Sequence, residues 1–258
     1  MNKPVKGIIT FARAAFAWGL FASMALLCVT ANAAENDILQ KLECGLVSPT
    51  GSFALPIEKQ KITILMIGSS STSGVGAGSR SKAYPARTAF HLNAKANGPF
   101  FDVVAKGVGG ERAKAAAQRM STAIKQTAPD LIVWQVGTND ALTKVPHETL
   151  RQTLQEGLSI AKQHTLPLIL IDPQFFPRIL KHQHYDSTVE LIAKIGEDHK
   201  LPVVRRYQRM KRALKLDQNS MTALLAKDRF HMSALGHECL ARDLVATITK
   251  GAIASEVK

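Results

Sequence analysis

Beyond its first 33 residues this chain of 258 has no internal repeat, no low-complexity tract and no stretch rich enough in Gly, Ser or Pro to act as a linker. That excludes a repeat architecture and a multidomain arrangement, and the length suits one well-buried domain. Acidic residues are scarce, 20 against 33 Lys and Arg, and the basic ones are not interleaved with the few aromatics, 6% of the chain, so no nucleic-acid motif is present. Phosphate-binding glycine loops are missing too. Gly74 and Gly76 arrive six or more residues after Gly68, too late for a dinucleotide fingerprint, and no Lys follows the last glycine as a P-loop requires. His182, His184 and Tyr185 lie close together without a third ligand of suitable spacing. No metal or cofactor is expected, and these three side chains are read as exposed.

What the chain does have begins with Lys3, Lys6 and Arg13 ahead of an uncharged apolar stretch from Ala14 to Val29, then Ala31-Asn32-Ala33. This is the pattern of a secretory signal peptide cleaved near Ala33. The apolar stretch is shorter than the roughly 20 residues of a membrane span, so no stable transmembrane anchor is expected. Leu27, before Cys28, is too large for a lipoprotein signal. The expected fate is export, to the periplasm or beyond. Cleavage removes three basic residues and lowers the net charge from +13 to +10. A field of that sign either favours anionic surfaces, such as lipid head groups or acidic envelope polymers, or serves only as a solvated face that aids solubility, and no specific nucleic-acid partner is expected. Two cysteines remain, Cys44 and Cys239, which either pair in an oxidising compartment or stay as buried thiols.

The run Ile62-Thr63-Ile64-Leu65-Met66-Ile67 is β-branched and apolar on both faces, as a buried parallel strand requires. Similar runs follow at Phe101–Ala105, Leu131–Val136 and Leu166–Ile171, with a weaker one at Pro202–Val204. Helical periodicity falls between them, at Glu111–Gln126, Glu148–His164 and Ser187–His199, and again near Ser233–Ile248. Alternation of this kind predicts one α/β domain with a parallel sheet covered on both faces. The expected divisions are a leader at 1–33, a lead segment at 34–61, the domain at 62–250 and a tail at 251–258.

Sites in such sheets gather beyond the carboxyl ends of strands, and the polar segments of this chain sit there. After the first strand comes Gly68-Ser69-Ser70-Ser71-Thr72-Ser73-Gly74, a turn that exposes a serine at the sheet edge. The second strand leads into Gly107-Val108-Gly109-Gly110-Glu111, whose glycines let a backbone amide approach a developing oxyanion. A plain strand-to-helix turn has the same look. The third ends in Gly137-Thr138-Asn139-Asp140: Asn139 offers an amide donor, and Asp140 caps a helix or braces the loop. Last comes Asp228-Arg229-Phe230-His231. At that spacing the carboxylate accepts from Nδ1 of the imidazole and leaves Nε2 to take a proton from a serine, which attacks poorly without a base.

These four segments resemble the blocks of the SGNH hydrolase superfamily, which includes the GDSL esterases and lipases, over nearly the whole span from Ile62 to Ile248. The resemblance implies a three-layer α/β/α sandwich around a mostly parallel sheet of about five strands, and metal-free ester hydrolysis through an acyl-enzyme. It places the nucleophile at Ser70, two residues past Gly68, with His231 as base and Asp228 as its partner. The oxyanion donors are the amides of Ser70 and Gly110 and the side chain of Asn139. Ser69 stands where the family usually has Asp, and Ala105 where it usually has Asn. Phe175 and Phe176, after the fourth strand, line an acyl pocket or pack in the core. The implied substrates are short-chain esters, acetyl or other small acyl groups on saccharides or small lipids. A non-catalytic envelope or carbohydrate-binding protein that retains the fold is the alternative.

Overall fold

A computed structural model describes residues 33–47, 51–94 and 100–254. The expected leader lies outside the described residues apart from its last position. Among the described residues no helix is long and apolar enough to cross a membrane. The chain divides into two units, Met1–Lys41 and Leu42–Lys258. Of the first, a helix α1 over residues 33–41 is described, with an exposed Lys41–Asp37 pair one turn apart.

The second unit is built on five parallel strands in the order β3-β2-β4-β5-β6: β2 (Lys61–Gly68), β3 (Phe100–Gly107), β4 (Leu131–Gln135), β5 (Leu168–Ile171) and β6 (Val203–Val204). The interior strands β4 and β5 are buried at every position, and β2 from Ile64 onward is nearly so. That accounts for their continuous apolar runs. The edge strand β3 is half-exposed and carries Asp102 and Lys106. Register pairs Lys61 with Phe100 through to Gly68 with Gly107, so the turns after β2 and β3 leave the sheet side by side.

On one face, Leu65, Ile67, Ile132, Trp134, Leu168 and Leu170 share a cluster with α4 (Ala113–Thr127), α6 (His147–Gln163) and α7 (Gln183–Asp198). Side chains alternate along a strand, so Ile64, Met66, Val133 and Ile169 bury on the opposite face. There α3 (Tyr84–Asn93) packs against α10 (Ala234–Gly251) and β3. The result is a three-layer α/β/α sandwich. Two short helices, α2 (Ser70–Ser73) and α5 (Thr138–Leu142), open directly from the ends of β2 and β4. After β6 come α8 (Arg206–Leu216) and α9 (Gln218–Ala223).

Two features lay beyond the periodic signals. Residues of the expected lead and tail segments, β1 (Phe53–Leu55) and β7 (Ala252–Ala254), form a separate two-stranded parallel sheet. Cys44 and Cys239 form a disulfide with Cα atoms 5.1 Å apart, which fixes the start of this unit to α10.

Candidate active site

The three serines after β2 have different surroundings. Ser69 is buried, and both its amide and its hydroxyl donate to Oε1 of Gln135 on β4, at 2.9 and 3.1 Å. Thr72 donates to the same oxygen at 3.2 Å. One buried amide oxygen thus anchors the turn through Ser69 and Thr72. Ser71 is buried as well. Its hydroxyl donates to Oε1 of Gln174 at 3.2 Å and accepts from Nη1 of Arg206 at 3.0 Å. Ser70 at the start of α2 is only half-buried and is the most accessible of these three.

Asp228 and His231 form a self-contained unit. Nδ1 of His231 lies 2.6 Å from Oδ2 of Asp228, while Oδ1 accepts from the amides of Phe230 and His231, each at 3.0 Å. Partial burial pushes the Asp228 carboxyl up. Hydrogen bonds from the His231 ring and from those two amides together outweigh it and hold the pKa below its ordinary value. A carboxylate kept ionised accepts from Nδ1–H and leaves Nε2 free to act as a base.

Long-range contacts bring this unit to the serine turn. Gly76 has φ +89, and a Cβ there would lie 2.2 Å from the Met232 carbonyl oxygen and 3.0 Å from Cβ of His231. Gln174, just past β5, donates through Nε2 to the Phe230 carbonyl at 2.8 Å while accepting from Ser71. Its own amide points to Oγ1 of Thr138 at 3.4 Å, and its carbonyl accepts from the Tyr185 hydroxyl at 2.6 Å. Arg206, 2% exposed, lies beneath and donates to Ser71, to Thr138 and to the Asp172 carbonyl. Burial pushes the nearby Asp172 carboxyl up to about 7 against the opposing Tyr207 amide and the charges of Arg205 and Arg206.

The loops after β3 and β4 also meet. Asn139 donates through Nδ2 to the Glu111 carbonyl at 2.8 Å, next to Gly110. Gly110 has φ +75, a conformation that favours glycine, and a Cβ would meet nothing within 4 Å, so the space before it is open. Asp140 is buried and accepts from the Ala113 amide with both oxygens at 3.1 Å, bracing the start of α4 from a neighbouring loop. Phe175 is fully buried edge-on to Tyr207, and Phe176, 3% exposed, packs edge-on to Phe230.

Tyr185 corrects the sequence reading. It is fully buried, because α7 begins at Gln183, earlier than the periodicity suggested, and carries the ring inward among Phe176 and Tyr207. His182 and His184 are half-buried. Nδ1 of His182 accepts from the Tyr185 amide and His184 stacks on His147. The residues missed were Gln135, Gln174 and Arg206. The two glutamines did leave a signal, as polar groups at the ends of buried strands, which need a specific partner.

A parallel sheet of this order, with a serine, an amide donor and an Asp–His pair on loops at its carboxyl edge, defines an SGNH-type serine hydrolase acting on ester bonds. Residues 52–254 match the Non-GDSL lipase-like family, and the chain belongs to it. Solved structures of similar fold include a lipase/acylhydrolase from Enterococcus faecalis, at TM-score 0.62 and 21% identity, covering 76% of this chain and 100% of that one. The acetyl xylan esterase AlAXEase is similar at TM-score 0.63 and 19% identity, over 72% of this chain and 100% of its own. A variant of Axe2, an acetyl-xylooligosaccharide esterase from a Geobacillus species, gives TM-score 0.62 and 23% identity over 72% of this chain and 94% of its own. No curated protein sequence matches the chain.

Proposed function

We propose that the protein is an exported esterase that removes short acyl groups from saccharides or small lipids through an acyl-enzyme on Ser70. In the first half-reaction Ser70 Oγ attacks the ester carbonyl, His231 takes the hydroxyl proton and returns it to the departing alcohol. Water then attacks the acyl-enzyme with His231 again as base, releasing the acid and restoring the serine. Asp228 holds the imidazole in orientation. The Ser70 and Gly110 amides and the Asn139 side chain stabilise the oxyanion. The observation that carries this reading is the unequal treatment of the three serines: Ser69 and Ser71 have their hydroxyls bound in buried networks, whereas Ser70 is open and its turn is tied by Gln174 to the loop of His231.

Two further observations support the finer points. The Cys44–Cys239 disulfide is what an oxidising compartment permits, in line with export. The acetyl-ester specificity belongs to AlAXEase and Axe2, and the open space before Gly110 suits a small acyl group here as well. The test is labelling with a fluorophosphonate and mapping of the modified peptide, alongside turnover of 4-nitrophenyl acetate. Labelling at Ser70, with labelling and turnover both abolished in Ser70→Ala, is the expected result. A Ser70→Ala protein that cleaves the ester at the parent rate overturns the assignment, and a parent protein that neither labels nor turns over favours the binding-protein alternative.

A further inference from the structure

The charges around the site are one-sided. The loops at the carboxyl edge of the sheet bear exposed cations, among them six drawn from four different connections: Arg112, Lys144, Arg178, Lys181, Lys227 and Arg229. None of the six takes part in an ion pair among the described residues. The carboxylates of the same loops are all engaged. Glu111 is held by Arg119, and Asp140 is buried against the Ala113 amide. Asp172 is buried beneath Arg205 and Arg206, and Asp228 is paired with His231. Glu148, one turn into α6, pairs with Arg151. At the opposite edge Lys59 pairs with Asp130 and Lys61 with Asp102, while Lys162 is exposed outside any ion pair among the described residues. Unpaired positive charge drawn from four connections therefore stands on the face that holds Ser70.

Each exposed cation contributes little to a single contact in water, but several on one face sum to a potential that concentrates anions above it. We propose that the esters this site takes are borne on an acidic polysaccharide, whose repeating carboxylates lie across these cations while one acyl group enters the site. This deepens the function proposed above and rests on it for the hydrolytic step. A soluble polyanion fits better than an anionic bilayer. The apolar residues exposed on the same loops are scattered aliphatics, Val75, Val108, Leu142 and Leu180. The exposed aromatic side chains among the described residues, Phe90 and Phe100, stand elsewhere, near the end of α3 and at the start of β3. A surface that docks on lipid characteristically presents Trp, Tyr or Phe at the interface.

The test compares partially O-acetylated polygalacturonate with partially O-acetylated glucomannan, an anionic and a neutral polymer carrying the same acyl group. At about 20 mM salt the ratio of kcat/KM, anionic over neutral, is expected to be about tenfold or more, and to approach one at about 300 mM salt. The double variant Lys144→Glu with Arg178→Glu lowers the ratio about tenfold, and the matching Gln substitutions lower it less. Lys162→Glu, near the end of α6 at the other edge, leaves it unchanged. A ratio near one at low salt, or an equal fall caused by Lys162→Glu, overturns the proposal. Binding of the Ser70→Ala protein decides the matter without catalysis: salt-sensitive retention on polygalacturonate supports the polymer. Retention on phosphatidylglycerol vesicles but not on polygalacturonate overturns it in favour of a membrane. If the parent cleaves no ester and takes no fluorophosphonate label, the hydrolytic reading fails, while this binding arm still reads the charged face.

Discussion

Gln174 shows how much a single side chain holds at this site. Its amide oxygen takes the Ser71 proton and its amide nitrogen gives one to the Phe230 carbonyl, so both ends are used and their order matters. Gln174→Met leaves a buried hydroxyl and a carbonyl without that partner, at a stability cost of about 1 to 3 kcal/mol. The larger effect is on geometry: the serine turn and the His231 loop lose their shared brace, and a misplacement of about 1 Å costs on the order of 100-fold in rate. Steady-state kinetics on 4-nitrophenyl acetate are expected to show kcat falling about 10- to 100-fold with KM changed about twofold or less. A merely structural role would instead lower the active fraction, read by fluorophosphonate titration, and leave kcat per labelled site intact.

Among the elements, α10 carries the acid-sensitive joint. Its His237 is fully buried, accepts from the Tyr84 amide through Nδ1 at 3.2 Å, and lies with Nε2 3.2 Å from the Val75 carbonyl. It thus joins α10 and the start of α3 to the chain just past α2. Nδ1 accepts, so the ring is neutral and Nε2 bears the hydrogen that goes to Val75. Burial pushes its pKa down from 6.5 to about 4, against the opposing Val75 bond, with the charges of Arg206 and His231 adding to the fall. The sign follows from proton uptake. Between pH 6.5 and about 4 the unfolded chain holds a proton that the folded one does not, so stability falls as pH falls through this window and levels off below it. The contribution is about 3 kcal/mol. Urea unfolding across that range is expected to show this slope in the difference between the parent and His237→Gln, since Asp172, raised to about 7, gives both proteins a contribution of the opposite sign. An unchanged slope in the variant would place the acid sensitivity elsewhere.

For the molecule as a whole, the disulfide ties together positions 195 residues apart. Closing a loop of that length in the unfolded chain is worth about 5 kcal/mol in the chain-entropy view. Reduction, or Cys44→Ser with Cys239→Ser, is expected to lower the unfolding midpoint in urea by a matching amount. Fluorophosphonate labelling at Ser70 is expected to survive under native conditions, since neither cysteine contributes to the site. Loss of labelling in a still-folded reduced protein would show that the tether positions the site.

Much of the sheet and part of the site were legible in the sequence because the forces behind them act over a few residues. Two-sided apolar runs marked β2, β4 and β5, and the spacing of Asp228 and His231 encoded a pair that closes on itself within one turn. The missed elements lacked that local signature. The helix α8 is largely basic on its outer side and buries only Arg206, Tyr207, Met210 and Ala213, and β1 and β7 are three residues each, meaningful only when opposite ends of the domain meet. The choice among Ser69, Ser70 and Ser71 had the same limit. From the sequence it rested on register; in space it rests on Gln135, Gln174 and Arg206, each far along the chain from the serine turn. Composition and periodicity settled which segments become strands and which residue types stand at their ends, since burial and hydrogen bonding within a turn are local. Which hydroxyl stays free and which cysteines join depended on distant segments coming together, because a polar group's partner across a sheet leaves no trace in its own neighbours.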